Sequence, residues 1–192
     1  MVLDNVFCFV VTPDSDDEVR TLLSSLLEVY HSADYLAYMV SSEQDEISNK
    51  TIEAVEDQCE VFVGDLPISE YPISSKTAAL AAVEDKYPNS RRLFIDTDVV
   101  LLNRISIMPS YNEVAVKSID WGDQHWARQE SENDWEKVYR WIGAEYPGYC
   151  CRSTVDQSKI PPYYNAGVIL SGPGVEFGSD WKQLTKKVYN QF

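Results

Sequence analysis

Apolar residues fall into two alternating rhythms over the first hundred positions. Residues 5–12 (NVFCFVVT) form an almost unbroken apolar run, the pattern of a strand buried on both faces. In the next stretch, PDSDDEVRTLLSSLLEVY, the period changes. Val19, Leu22, Leu23, Leu26, Leu27 and Tyr30 recur at helical spacing and predict a core-facing helix. Ser15 and Glu18 supply the S-x-x-E spacing of a capping box at its start. Residues 34–41 (DYLAYMVS) and 59–67 (CEVFVGDLP) read as strands, with a weaker helix between them over about 48–57. A helix over 74–88 (SSKTAALAAVEDKYP) ends at Pro88, and RRLFIDTDVVLL (91–102) reads as a further buried strand. Strands over 112–120 and 163–172 follow, then a helix over 179–190 with Trp181, Leu184 and Val188 on one face.

Strand and helix alternating in this order predict an α/β fold, with right-handed crossovers and a mostly parallel central sheet flanked by helices. The stretch 121–164 breaks the rhythm with Trp121, Trp126, Trp135, Tyr139, Trp141, Tyr146, Tyr149, Tyr163 and Tyr164 among charges. There is no internal repeat, low-complexity tract or linker, so residues 1–192 read as a single domain.

Composition narrows the function. A net charge of −15 leaves no electrostatic footprint for nucleic acid. Nine lysines against 31 acidic residues suit a halophile's surface, and predict a fold that weakens at low ionic strength. Cys8 and Cys59 lie in apolar runs and read as core residues, whereas adjacent Cys150 and Cys151 fit no zinc spacing. No apolar run approaches the ~20 residues of a membrane span. The start, MVLDNVFCFVV, has no basic segment and reads as a strand, not a signal peptide, so a soluble cytoplasmic protein is expected.

The chemistry concentrates at Asp96 and Asp98. If the strand continues through them, both point to one side. If it ends near Asp96, both enter the crevice beyond its carboxyl end, where open α/β sheets bind ligands. Two carboxylates ~5 Å apart repel by roughly 3 kcal/mol at an effective dielectric of 20. A divalent cation, a basic partner, protonation or exposure must offset this. Hard oxygen ligands suit Mg²⁺ or Mn²⁺, and a two-carboxylate site leaves room in the metal's shell for a diphosphate.

RRLFIDTDVVLLNRI resembles the DxD segment of GT-A fold glycosyltransferases. YYNAGVILSG (163–172) resembles the FNSGV segment of glycosyltransferase family 8, the glycogenin-like group, and SSKTAALAAVEDKYP resembles that family's helix carrying a donor-side lysine. Together the three cover roughly residues 5–172. The resemblance implies a GT-A-like nucleotide-diphospho-sugar transferase fold, with a nucleotide-binding half over 1–102 and an acceptor-side half, shortened relative to the family, over 103–192. It implies transfer of a hexose from a nucleotide sugar, UDP-sugar foremost, to a glycan, protein or lipid acceptor, through an oxocarbenium-like state. The nucleotide would lie near Val11, Thr12 and Asp14. Asp96 and Asp98 would hold Mn²⁺ or Mg²⁺, with Asp96 also reaching the ribose, and Lys76 would help hold the donor. Asn165 would contact sugar or acceptor, and Asp120 would bind donor hydroxyls. Gly167 would let the backbone approach closely, and the aromatic stretch 121–164 would form an acceptor lid.

The sequence departs from family 8 after NAGV. The family's following DQ segment and its HxxGxxKPW-like stretch, with a third metal ligand and a diphosphate-binding lysine, are not found up to Phe192. His125, in GDQHW, would complete the metal shell only from a folded-back loop. This leaves a non-catalytic or degenerate nucleotide-sugar-binding module as the alternative. A sugar-phosphate nucleotidyltransferase is a further one, although VTPDSDDE lacks the Gly-rich basic segment expected there.

Overall fold

The computed structural model describes residues 4–106, 108–118, 131–146, 151–152, 157, 159–160 and 164–191. Eight strands and five α-helices run through them, alternating as far as β4. They are β1 (Asn5–Val11), α1 (Asp16–Val29), β2 (Asp34–Val40), α2 (Asn49–Glu56), β3 (Glu60–Gly64), α3 (Ser74–Lys86), β4 (Arg91–Ile95), β5 (Val114–Ser118), α4 (Ser131–Ile142), β6 (Cys151–Arg152), β7 (Lys159–Ile160), β8 (Tyr164–Ser171) and α5 (Phe177–Tyr189). Six strands form one sheet in the order β3-β2-β1-β4-β8-β5. The pairs β1/β2, β2/β3 and β1/β4 are parallel, while β8 runs antiparallel to β4. The predicted α/β class and mostly parallel sheet are therefore what the chain forms.

Burial explains the unbroken apolar runs. Residues Val6 to Val11 of β1 are all buried. Phe7, Phe9 and Val11 join Val19, Leu22, Leu23 and Leu26 of α1, Val55 of α2 and Leu93 and Ile95 of β4 in one core cluster. Their neighbours Val6, Cys8 and Val10 point to the opposite face by strand alternation, and α3 packs against β1, β2 and β4 with Ala78, Ala79, Leu80 and Val83 buried. Each Phe or Leu fully removed from water contributes about 1.5–3 kcal/mol, so both faces of β1 are strongly specified.

The chain divides into two compact units. One comprises Met1–Ala115 with Gly167–Lys182 and the other Val116–Ala166 with Gln183–Phe192. Within the second, α4 closes on Gly143, whose φ of 80° suits a glycine C-cap. Its Tyr139 ring meets Tyr146 edge-on at 5.3 Å. β6 and β7 form a short antiparallel pair there.

Two local expectations are corrected. Ser15 and Glu18 do not form a capping box. A 3-10 turn over Pro13–Ser15 precedes α1, and Ser15 Oγ accepts from the Thr12 N–H at 2.9 Å and donates to the Thr12 carbonyl at 2.8 Å. With its hydroxyl committed backwards, Ser15 makes no side-chain cap of α1. The second correction concerns VVLL. β4 ends at Ile95, and the chain beyond it lies along α1 instead of extending the sheet. The Thr97 hydroxyl donates to Glu18 at 3.1 Å, Ser25 Oγ accepts from the Leu101 N–H at 3.1 Å, Arg104 donates to the Val29 carbonyl at 3.1 Å, and the Tyr30 hydroxyl accepts from the Ile105 N–H at 2.7 Å. Backbone groups satisfied by α1 side chains need no strand partner. Val99 and Leu101 pack on the core while Val100 and Leu102 are exposed.

Candidate functional site

The strand order itself creates a crevice. From β1 the chain builds outward to β2 and β3, and then returns to place β4 on the other side of β1. Adjacent parallel strands whose connections leave in opposite directions open a gap at their carboxyl ends, the usual ligand position in such sheets. β1 and β4 run in register from Asn5↔Arg91 to Cys8↔Phe94. Val11 and Thr12 end one strand there, and Asp96 follows the other.

Asp96 is fixed on three sides. Its N–H donates to the Gly167 carbonyl at 2.8 Å, which continues the β4/β8 ladder one residue past Ile95. Its carbonyl accepts from the Val99 N–H at 3.1 Å, closing a turn with Thr97 and Asp98 at its centre. Its Oδ2 accepts from Lys76 Nζ at 2.6 Å, and each side chain of the pair is about a quarter exposed (23% and 24%). Asp98 projects from the turn into solvent. The carboxylates thus escape their mutual repulsion by different means, Asp96 through a basic partner and Asp98 through water.

Lys76 reaches Asp96 because it occupies the first turn of α3. Ser74 and Ser75 anchor that turn, Ser74 exchanging hydrogen bonds with the Ile68 backbone at 3.2 Å and Ser75 donating to the Pro72 carbonyl at 2.7 Å. Thr12 is half-buried and Asp14 exposed in the 3-10 turn. Val11 is fully buried, so Thr12 is the first residue past β1 that is open to the crevice end.

Asp96, Asp98 and Lys76 are therefore brought together. Asp120, His125 and half of the stretch 121–164, including Trp121, Trp126, Tyr149 and Tyr163, lie outside the described residues. Asn165 is on β8, two positions before Gly167, and its side chain is likewise outside them. Among the described residues no three His, Cys, Asp or Glu side chains converge on a metal position. Two carboxylates at a strand end still match a magnesium-type ion, which takes most of its shell from phosphate and water.

Sequence reasoning missed a buried charged group at the opposite, amino end of β4. Arg92 is 1% exposed and donates to the carbonyls of Gly172 and Val175. Glu84, also buried, accepts from the N–H groups of Gly178 and Ser179 at 2.7 and 3.1 Å, so a carboxylate of α3 caps α5. Burial pushes the Glu84 carboxyl above its ordinary value, opposed by those two N–H groups and by Arg92. The signal was present: Glu84 stands four residues after Leu80, on the helix face that goes inside. Gly178 allows the approach, since a Cβ there would come within 2.6 Å of Ala81 N.

The profile of the Rhodobacterales glycosyltransferase domain matches residues 13–191. No curated protein sequence matches the chain. Among solved structures, the galactosyltransferase LgtC in complex with donor and acceptor sugar analogues aligns over 97% of this chain and 64% of its own, with 15% identity and a TM-score of 0.55. An active-site mutant of LgtC gives the same values of 97%, 64%, 15% and 0.55. The bifunctional glycosyltransferase WbbM aligns over 98% of this chain and 34% of its own, at 11% identity and a TM-score of 0.49. The chain thus spans less than two thirds of these structures' length, and its likeness to LgtC is one of GT-A fold.

Proposed function

Because the chain belongs to the Rhodobacterales glycosyltransferase domain family, we propose that it moves a hexose from a nucleotide-diphosphate sugar, UDP-sugar foremost, to a glycan, protein or lipid acceptor. The observation that carries this reading is the Lys76–Asp96 pair beside Asp98, at the carboxyl end of β4. The closer resemblance to family 8 rests on Lys76, Asp96, Asp98 and Asn165 in that order.

Asp96 and Asp98 would hold Mn²⁺ or Mg²⁺, which when bound stabilises charge developing on the leaving diphosphate. Lys76 donates hydrogen bonds to a phosphate oxygen from the first turn of α3, adding to the same stabilisation. Thr12 and Asp14, just past the buried Val11, hold the nucleoside at the end of β1. The turn closed by Val99 N–H on Asp96 fixes the backbone that carries both carboxylates, and Lys76 holds the Asp96 side chain. Asn165 and Asp120 orient sugar hydroxyls and acceptor.

Calorimetry with UDP-sugars, with and without Mn²⁺, tests the reading on the wild type and Asp98→Asn. Metal-dependent binding that disappears in the variant is expected. Binding without hydrolysis or transfer would leave a non-catalytic donor-binding module. A folded protein that binds no nucleotide sugar at any salt concentration would overturn both.

A further inference from the structure

The Lys76–Asp96 contact joins two residues that a metal-dependent donor site uses separately, one for diphosphate and one for cation. We propose that Lys76 is the resident counter-ion of Asp96, which a divalent cation must displace, so that cation and diphosphate enter the site cooperatively. This rests on the donor-site reading above.

Lys76 Nζ lies 2.6 Å from Asp96 Oδ2, within direct charge-assisted hydrogen-bonding distance. A cation on that oxygen cannot coexist with the ammonium at the same position. Lys76 also stands in the first turn of α3, where the helix dipole disfavours positive charge and favours an anion nearby. Asp96 is that anion in the ligand-free chain. If a cation alone takes Asp96, the ammonium is left at a helix N-terminus with its counter-ion removed. If the cation arrives with a diphosphate, the phosphate oxygens replace Asp96 as the partner of Lys76. The flexible four-carbon stem of lysine permits that exchange without movement of α3. Cation alone is therefore penalised, and cation with diphosphate is not. By linkage each must raise the other's affinity by the same factor.

Titrations of Mn²⁺, followed by loss of the free-ion electron paramagnetic resonance signal, read this directly with and without UDP. The proteins compared are the wild type, Lys76→Met, Lys76→Gln, Asp98→Asn and Lys86→Met. The last removes the same charge ten residues along α3, about 15 Å away, and each variant's fold is checked by its melting curve. The two Lys76 variants are expected to bind Mn²⁺ alone about two- to fivefold more tightly than the wild type, the release of one partly exposed ion pair. Their gain from UDP is expected to shrink about tenfold, the loss of a charged hydrogen bond to phosphate. Lys86→Met should change neither value. Lys76 variants that bind Mn²⁺ alone no more tightly than the wild type would overturn the counter-ion role while leaving the donor site standing. Equal tightening in Lys86→Met would reduce the effect to bulk charge and overturn it too. Mn²⁺ and UDP bound no better by the wild type than by Asp98→Asn would remove the donor site and this proposal together.

Discussion

Arg92 is the largest fully buried side chain among the described residues, and it is charged. Its guanidinium serves the carbonyls of Gly172 and Val175, and it lowers the cost of burying Glu84. Breaking such a buried arrangement from one side leaves the other charge uncompensated. Glu84 itself gives a pH signature. Its carboxyl sits above its ordinary value because it is buried, so between the unfolded and folded values the folded chain binds more protons. Stability from this group is then fully present below the ordinary carboxylate range and falls as pH rises through the raised folded value. Urea unfolding from pH 4 to 8 should show the wild type losing free energy with rising pH more steeply than Glu84→Gln. Equal slopes would mean that Glu84 titrates like a free carboxyl. Cys8 and Cys59 are free thiols. Burial raises both, Cys59 to about 12. Peptide mapping should find neither labelled by iodoacetamide at pH 8 until the protein is unfolded.

At the scale of elements, the segment after Asp98 decides how firmly the carboxylates are held. It is a strap along α1, fastened at Glu18, Ser25, Val29 and Tyr30. Ser25 is its buried rung, donating to the Leu22 carbonyl at 2.8 Å while accepting from the Leu101 N–H. Ser25→Ala removes the acceptor and leaves that N–H unpaired, at a cost of about 1–3 kcal/mol, measurable by chemical denaturation. The Glu18 rung is exposed, so Glu18→Ala should change stability by less than about 0.5 kcal/mol. Apolar periodicity could not distinguish this strap from a strand. VVLL alternates inward and outward in either case, and only the partners of its N–H groups differ.

At the scale of the molecule, a net charge of −15 works against compaction. Screening relieves it, so the melting temperature should rise between dilute and molar KCl; a flat response would show that the acidic residues are already compensated locally. None of the described helices is long and apolar enough to cross a membrane. The sheet, its helices and the strand leading to the aspartates were legible in the sequence because burial writes a period into apolar positions; five of the strands recur within a few residues of their predicted bounds, and β4 stops seven residues short of its own. Asp96 and Asp98 were legible because carboxylates in an apolar run are costly without a reason, and Lys76 was picked out by the resemblance of its helix to that of family 8. The pairing of Lys76 with Asp96, the capping of α5 by Glu84, the burial of Arg92 and the strap along α1 were not. These are contacts between residues 20 to 95 positions apart, and no local period encodes them. The sequence by itself determined which segments are buried and where charge is out of place. Only the tertiary structure decided which distant group answers each misplaced charge, because that depends on the order in which strands lie side by side.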